Sequence, residues 1–230
     1  SSAFFLAVQK NPLPFAPPGD LEQALRAPKQ ARKDGKTMSR DLSEMTLEEL
    51  WQLFPIVLTE HQDVWADWFR EEAGALRELL GERACRISHI GSTAVPGIWA
   101  KPIVDILLEV EDRETLLSLP SLLSQAGYRP MSRAETRISF NKGYTPEGFA
   151  ERVFHLHARL TGDRDELYFR DYLRANPDAA KEYERLKLSL WKPFEHDRDG
   201  YTEAKSAFVR DCTRLARSGL PDCGSVPAQI

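Results

Sequence analysis

The chain has 230 residues, 42% of them hydrophobic and 29% charged, a balance that suits a globular fold with a substantial core. A formal net charge of −4 argues against broad nucleic-acid binding, which shows a basic balance, and no apolar run approaches the roughly 18 residues of a membrane span. Cys85, Cys212 and Cys223 are odd in number and share no metal-ligand spacing, so neither a disulfide framework nor a zinc site is expected, and a reducing cytoplasm fits best.

In chain order, the first 37 residues combine Pro12, Pro14, Pro17 and Pro18 with the basic run Lys29 to Lys36. They read as an extension, vector-derived or an upstream start, with Met38 a natural first residue. Their short apolar patch lacks the basic flank and the cleavage site of a signal peptide. A single domain is expected over 38–218 and a flexible tail over 219–230. Thr46-Leu47-Glu48-Glu49 has the form of a capping box opening a short helix to about Leu53, and Pro55 then turns the chain into an extended segment over 56–59. From Asp63, the spacing of Val64, Trp68, Leu76 and Leu80 predicts a helix of about seventeen residues that stops at Gly81 and covers a sheet face.

Two β-like runs follow, Arg86 to Ile90 and Ile103 to Val110, joined by a segment rich in small residues. Gly91-Ser92 stands at the first mouth and Asp105 on the second run. A glycine before a serine lets the backbone approach an anion, to which the hydroxyl and nearby N–H groups donate. An aspartate on the neighbouring strand can hold a divalent cation that neutralises the same phosphates. Asp112 then caps a helix through Leu116 and Leu123 that ends at Gly127. Arg137 to Gly143 and Arg152 to Leu160 read as strands around the turn formers 144–148. The remainder is helical. One helix over 167–175 stops at Asn176-Pro177, where the asparagine is a ready N-cap. The next buries Tyr183, Leu186 and Leu190, and a last helix from Thr202 presents Ala204, Phe208, Cys212 and Leu215. The sum is a mixed sheet of four or five strands packed with helices, ending in a helical bundle.

His155 and His157 form an i, i+2 pair that a strand projects to one side, and with Asp105 on a neighbouring strand they would make a two-histidine, one-carboxylate metal site. Alternation also puts Leu107 and Glu109 on the Asp105 face. Lys101, Arg137 and Lys142 are candidate anion holders, and on a flat strand Arg137 and Lys142 point to opposite faces, so at most one enters the site. Arg170 and Arg174, an i, i+4 pair, read equally as a solvated face or as substrate contacts. His89 could orient the Gly-Ser turn.

HIGSTAVPG, AKPIVDI, HLHARLTG from His155 and FRDYLRANP from Phe169, in this order, resemble the GrpB-like proteins over roughly Ile56 to Arg217. The resemblance implies the nucleotidyltransferase superfamily fold, an α/β (α+β) mixed sheet flanked by helices with a C-terminal helical bundle. It implies a nucleoside triphosphate on Gly91, Ser92 and Thr93, a divalent metal, Mg²⁺, on Asp105, and Lys101, Lys142 and Lys205 as substrate contacts. Asp105 and His157 are the expected catalytic residues. The sequence departs from the superfamily pattern at Leu107, where a two-metal transferase wants a second acid. Three functions therefore stand: nucleotidyl transfer to an unknown acceptor; an inactive nucleotide-binding module related to coenzyme A metabolism, since GrpB-like chains resemble segments fused to dephospho-CoA kinase; and a metal-dependent hydrolase using Asp105, His155 and His157 with a transition metal. The expected partner is a nucleotide or other phosphorylated small molecule, with no membrane and no nucleic acid.

Overall fold

The computed structural model describes residues 41–219. The expected extension, 1–37, and all but the first residue of the expected tail lie outside the described residues. Helix α1 (Leu47–Leu53) opens with the predicted capping box: the Thr46 hydroxyl accepts from the Glu49 N–H, and the Glu49 carboxylate accepts from the Thr46 N–H at 2.7 Å. Helix α2 (Val64–Leu80) has the predicted seventeen residues. Strand β1 (Arg86–Ile90) and strand β2 (Val104–Val110) follow, then helix α3 (Arg113–Ser124), whose N-terminus is capped by Asp112 accepting from the Thr115 N–H at 2.7 Å.

Strand β3 (Arg129–Ala134) was not read from the sequence, because this exposed edge strand alternates weakly. Strands β4 (Arg137–Thr145) and β5 (Gly148–Leu160) run further into the turn than expected and pair as a hairpin. Helices α4 (Asp165–Ala175), α5 (Pro177–Trp191) and α6 (Arg198–Gly219) complete the chain. Asn176 does not cap α5; its side-chain amide donates back to the Tyr172 carbonyl at the end of α4, at 2.8 Å.

The five strands form one mixed sheet in the order β1-β2-β5-β4-β3, with β2 and β5 parallel and the other neighbours antiparallel. Strand alternation divides the sheet into two chemically different faces. Val104, Ile106 and Leu108, beside Phe154, Leu156 and Ala158, point into the main core under Trp65, Ala73 and Leu76 of α2 and Leu116, Leu119 and Leu123 of α3. The opposite face carries Asp105, Leu107 and Glu109 beside His155, His157 and Arg159, since the register sets Asp105 opposite His155 and Leu107 opposite His157. Leu167 of α4 packs there on Ile90 and Leu107.

The C-terminal helices hold the 91–101 loop by its backbone. Arg170 donates to the His89 carbonyl and Arg174 to the Ala94 carbonyl, each at 2.8 Å. Glu184 accepts from the Trp99 N–H at 2.7 Å, while Lys187 donates to the Trp99 carbonyl. Helix α6 buries Tyr201, Cys212 and Ala216 along one stripe, whereas the expected core positions Ala204 and Leu215 are exposed. On α5 the buried set is Ala180, Tyr183, Glu184 and Lys187, and Leu186 and Leu190 are only half-buried. No helix among the described residues is long and apolar enough to cross a membrane.

Candidate metal and anion site

Asp105 lies at the heart of the cleft. Its Oδ1 is 3.4 Å from Nδ1 of His155 and 3.3 Å from Nε2 of His157, and one ligand atom from each of the three residues falls within 4.8 Å of the others. Parallel pairing of β2 with β5 produces this meeting, because it puts the odd-numbered residues of both strands on one face in register. Burial by itself would raise the Asp105 carboxyl, but hydrogen bonds from His155 and His157 outweigh it and hold the group well below the usual carboxylate range. Burial, opposed by Asp105, holds the His155 imidazole down at about 4, so that at neutral pH it is uncharged and able to ligate.

A second hydrogen bond fixes the His155 ring: its Nε2 lies 2.7 Å from the Tyr144 hydroxyl, and the two rings stack. The pairing of β4 with β5 shifts register here, with Lys142 opposite Phe154 but Tyr144 opposite Phe149, so the extra residues lie on β5. Gly143, at φ 90° and packed against the Arg152 carbonyl, interrupts the alternation of β4 between Lys142 and Tyr144. A histidine oriented through its second ring nitrogen is the usual arrangement around a metal ligand, and two imidazoles with one carboxylate are a donor set for zinc, manganese or iron.

Gly91 brings the loop against this cluster. It has φ 70° and ψ −171°, and a Cβ built there would lie 2.3 Å from Asp105 Oδ2; the Gly-Ser turn and the acid are packed directly together. Gly91, Ser92, Thr93, Lys101, Asp105, His155 and Lys205 all line a cavity of about 140 Å³. Ser92 and Tyr183 both line it. The Thr93 hydroxyl is engaged internally, donating to the Ile103 carbonyl at 3.3 Å and lying 3.0 Å from His89 Nε2. His89 thus orients the loop through Thr93 from the core face, where it stacks on Phe69.

Lys142 does not enter this cleft. Alternation places it on the core face, where it pairs with Glu72 of α2 at 2.7 Å and lies over Tyr128 and Phe154. Arg137 is on the cleft face but at its far end, beside Arg159, Asp163 and Glu166, so neither of the two candidates reaches Asp105. Arg170 and Arg174 donate to the His89 and Ala94 carbonyls, and Arg170 also pairs with Asp171 at 2.7 Å. Leu107 is 0% exposed in the Ile90–Leu167 cluster, and Glu109 sits in an ion cluster with Arg86 and Arg164 at 3.5 and 3.6 Å. No second carboxylate therefore stands beside Asp105 on β2.

Sequence reasoning missed Lys187, Tyr183 and Tyr201, all in the cavity wall. The signal was available in the helical period: Tyr183 and Lys187, like Tyr201 and Lys205, are i, i+4 pairs, which places each lysine on its helix's buried stripe.

The family model for GrpB protein matches residues 55–215. The crystal structure of conserved protein GrpB from Enterococcus faecalis is 34% identical, with a TM-score of 0.63, covering 70% of this chain and 98% of that one. The glutamate-rich protein GrpB of Alkalihalophilus pseudofirmus is 36% identical over 160 residues, 67% of this chain and 91% of the relative. A dephospho-CoA kinase of Mycolicibacterium paratuberculosis is 28% identical over 199 residues, 75% of this chain but 49% of the kinase.

Proposed function

This chain belongs to the GrpB protein family, and from the site its fold builds we propose a metal-dependent hydrolase of a phosphorylated small molecule, with Asp105, His155 and His157 as the metal ligands. The observation that carries this reading is the convergence of two imidazole nitrogens and one carboxylate oxygen within 4.8 Å, in a cleft whose other walls are cationic. A hard octahedral ion such as Mg²⁺ prefers carboxylates and phosphates, whereas this donor set suits zinc, manganese or iron. When bound, such an ion polarises a phosphoryl oxygen and lowers the pKa of a coordinated water. The protein's own contributions are positional: Tyr144 fixes the His155 ring, Gly91 lets the loop approach Asp105, and the C-terminal helices fix the 91–101 backbone.

Thermal unfolding in the presence of Zn²⁺, Mn²⁺, Fe²⁺ or Mg²⁺, paired with release of phosphate from small phosphate esters, tests this proposal. A metal at a hundred times its Kd adds about 2.7 kcal/mol of apparent stability. A transition metal should raise the midpoint, and His155→Ala or His157→Ala should abolish the rise. A shift with Mg²⁺ alone, or one that both variants retain, would remove the histidine site from the proposal.

A second reading, nucleotidyl transfer, is favoured by the direct packing of the Gly91-Ser92 turn on Asp105. It has a single β2 carboxylate to work with, and it requires Mg²⁺-dependent release of pyrophosphate from a nucleoside triphosphate. A module that has lost catalysis would instead bind nucleotide, or a coenzyme A precursor, without turnover.

A further inference from the structure

The cavity that Asp105 and His155 line is lined also by lysines from three separate elements. Lys101 comes from the loop before β2, Lys187 from α5 and Lys205 from α6, while Asp105 is the one carboxylate in the lining. Lys205 Nζ lies 4.1 Å from the centroid of the Tyr201 ring, Lys101 Nζ lies 5.6 Å from the same centroid, and Lys187 Nζ is 4.9 Å from that of Tyr183. Lys187 is 2% exposed and donates to one carbonyl, that of Trp99; an ammonium has three donors, so two remain for the cavity. Tyr201 is 1% exposed, lines the same cavity, and its hydroxyl has no hydrogen-bond partner.

Buried donors and charges in folded proteins are normally paired, because leaving a donor unpaired is costly and leaving a charge unpaired costlier still. With all three lysines protonated, the state a bound anion favours, three ammonium groups against one carboxylate give a surplus of two positive charges, with an unused phenol beside them. We infer that this subsite takes a terminal, dianionic phosphate, bound by Lys101, Lys187 and Lys205 with a hydrogen bond from the Tyr201 hydroxyl, and that it does so without a metal. The assignment deepens the proposed phosphate chemistry by fixing where the substrate's charged end lies, but the subsite binds independently of the metal cluster.

A dianion matches the surplus. A phosphodiester or a single carboxylate, each carrying one charge, leaves part of it uncompensated. A cavity of about 140 Å³ is of the size that holds a molecule of about six heavy atoms, enough for one phosphate group and its point of attachment. Burial first, and then the charge of neighbouring cations, holds the Lys101 ammonium down at about 8 and that of Lys205 well below its ordinary value. A dianion between them reverses both effects.

The test is calorimetric titration of the whole chain, in chelator and at low ionic strength, with inorganic phosphate, pyrophosphate, phenyl phosphate and, as the singly charged control, dimethyl phosphate. The first three should bind, and dimethyl phosphate should bind at least tenfold more weakly. Lys187→Met and Lys205→Met should each weaken binding at least tenfold and Tyr201→Phe about threefold or more, with circular dichroism and thermal unfolding establishing that each variant is folded. Lys142→Met, whose side chain lies on the core face outside the cavity, should keep phosphate binding within twofold, and titration in chelator reads this subsite without the metal, which separates its failure from failure of the metal reading. Pyrophosphate tighter than phenyl phosphate identifies the end of a polyphosphate as ligand, and the reverse order identifies a phosphomonoester. No binding of any dianion in chelator, or equal binding by folded Lys187→Met and Lys205→Met, overturns the proposal.

Discussion

Replacing Gly91 by alanine tests the geometry of the cleft at its tightest point. The backbone there has φ 70° and ψ −171°, a region that is nearly glycine's alone and costs another residue on the order of 1–3 kcal/mol. The new Cβ would also sit 2.3 Å from Asp105 Oδ2 and 3.0 Å from Asp105 Cβ and Cγ. Relieving that contact moves a carboxylate held by two histidines, at an overpacking cost of about 1–3 kcal/mol. Together these should destabilise the protein by roughly 2–6 kcal/mol, a fall in midpoint on the order of 10 °C for a chain of this size. Metal affinity should drop as well, because Asp105 can no longer stand at 3.3–3.4 Å from both imidazoles.

Urea unfolding in chelator measures the first effect and Zn²⁺ or Mn²⁺ titration the second. Two further variants separate the causes. Gly162→Ala, at φ 103° with nothing within 4 Å of an added Cβ, carries backbone strain alone and should leave metal binding unchanged. In the double variant Gly91→Ala, Asp105→Ala the 2.3 Å contact with Oδ2 is gone, only the 3.0 Å approach to the Cβ of residue 105 remains, and the strain persists, so the two substitutions should couple favourably by about 1–3 kcal/mol. Unfolding of Gly91→Ala within about 0.5 kcal/mol of the parent, with metal affinity intact, would refute the argument, since differences that small are typical of unconstrained positions.

Lys142→Met should destabilise without touching either ligand site. It leaves the Glu72 carboxylate, 8% exposed, without its cation, and because the Lys142 side chain is itself 31% exposed the cost is discounted to about 1–3 kcal/mol; loss of phosphate binding in this variant would return Lys142 to the cleft. The pH dependence of stability should carry a contribution from His89. Burial lowers its folded pKa to about 4 from 6.5, so the unfolded chain binds the proton more readily. The stabilisation is complete above about 6.5 and is lost as pH falls towards 4, where it amounts to roughly 3 kcal/mol. The difference in urea midpoint between the parent and His89→Gln should follow this curve, and a flat difference from pH 7 to 4 would contradict the burial argument.

Much of the fold was legible in the sequence because local rules govern it. The Thr46 capping box, the seventeen-residue α2 and β1 appear at or within a residue of the expected bounds, since cap chemistry and apolar period act over a few neighbouring residues. Alternation likewise placed Asp105, His155 and His157 each on one side of its own strand. The chain alone could not say that β2 and β5 are parallel neighbours with Asp105 opposite His155, and that long-range pairing turns three scattered residues into one cluster. The same gap misplaced Lys142. Its alternation against Arg137 was correctly read, but which face meets α2 and which meets the C-terminal helices depends on tertiary packing. Lys187 and Tyr201 were hidden for a related reason: a lysine on a helix reads as solvated until its stripe is seen to face a cavity. Sequence determined the elements and the chemistry each could offer, through forces that act over one or two turns of chain. Only the tertiary structure decided which of those side chains meet, because register, the irregular pairing of β4 with β5 and helix docking are set by burial between residues distant in the chain.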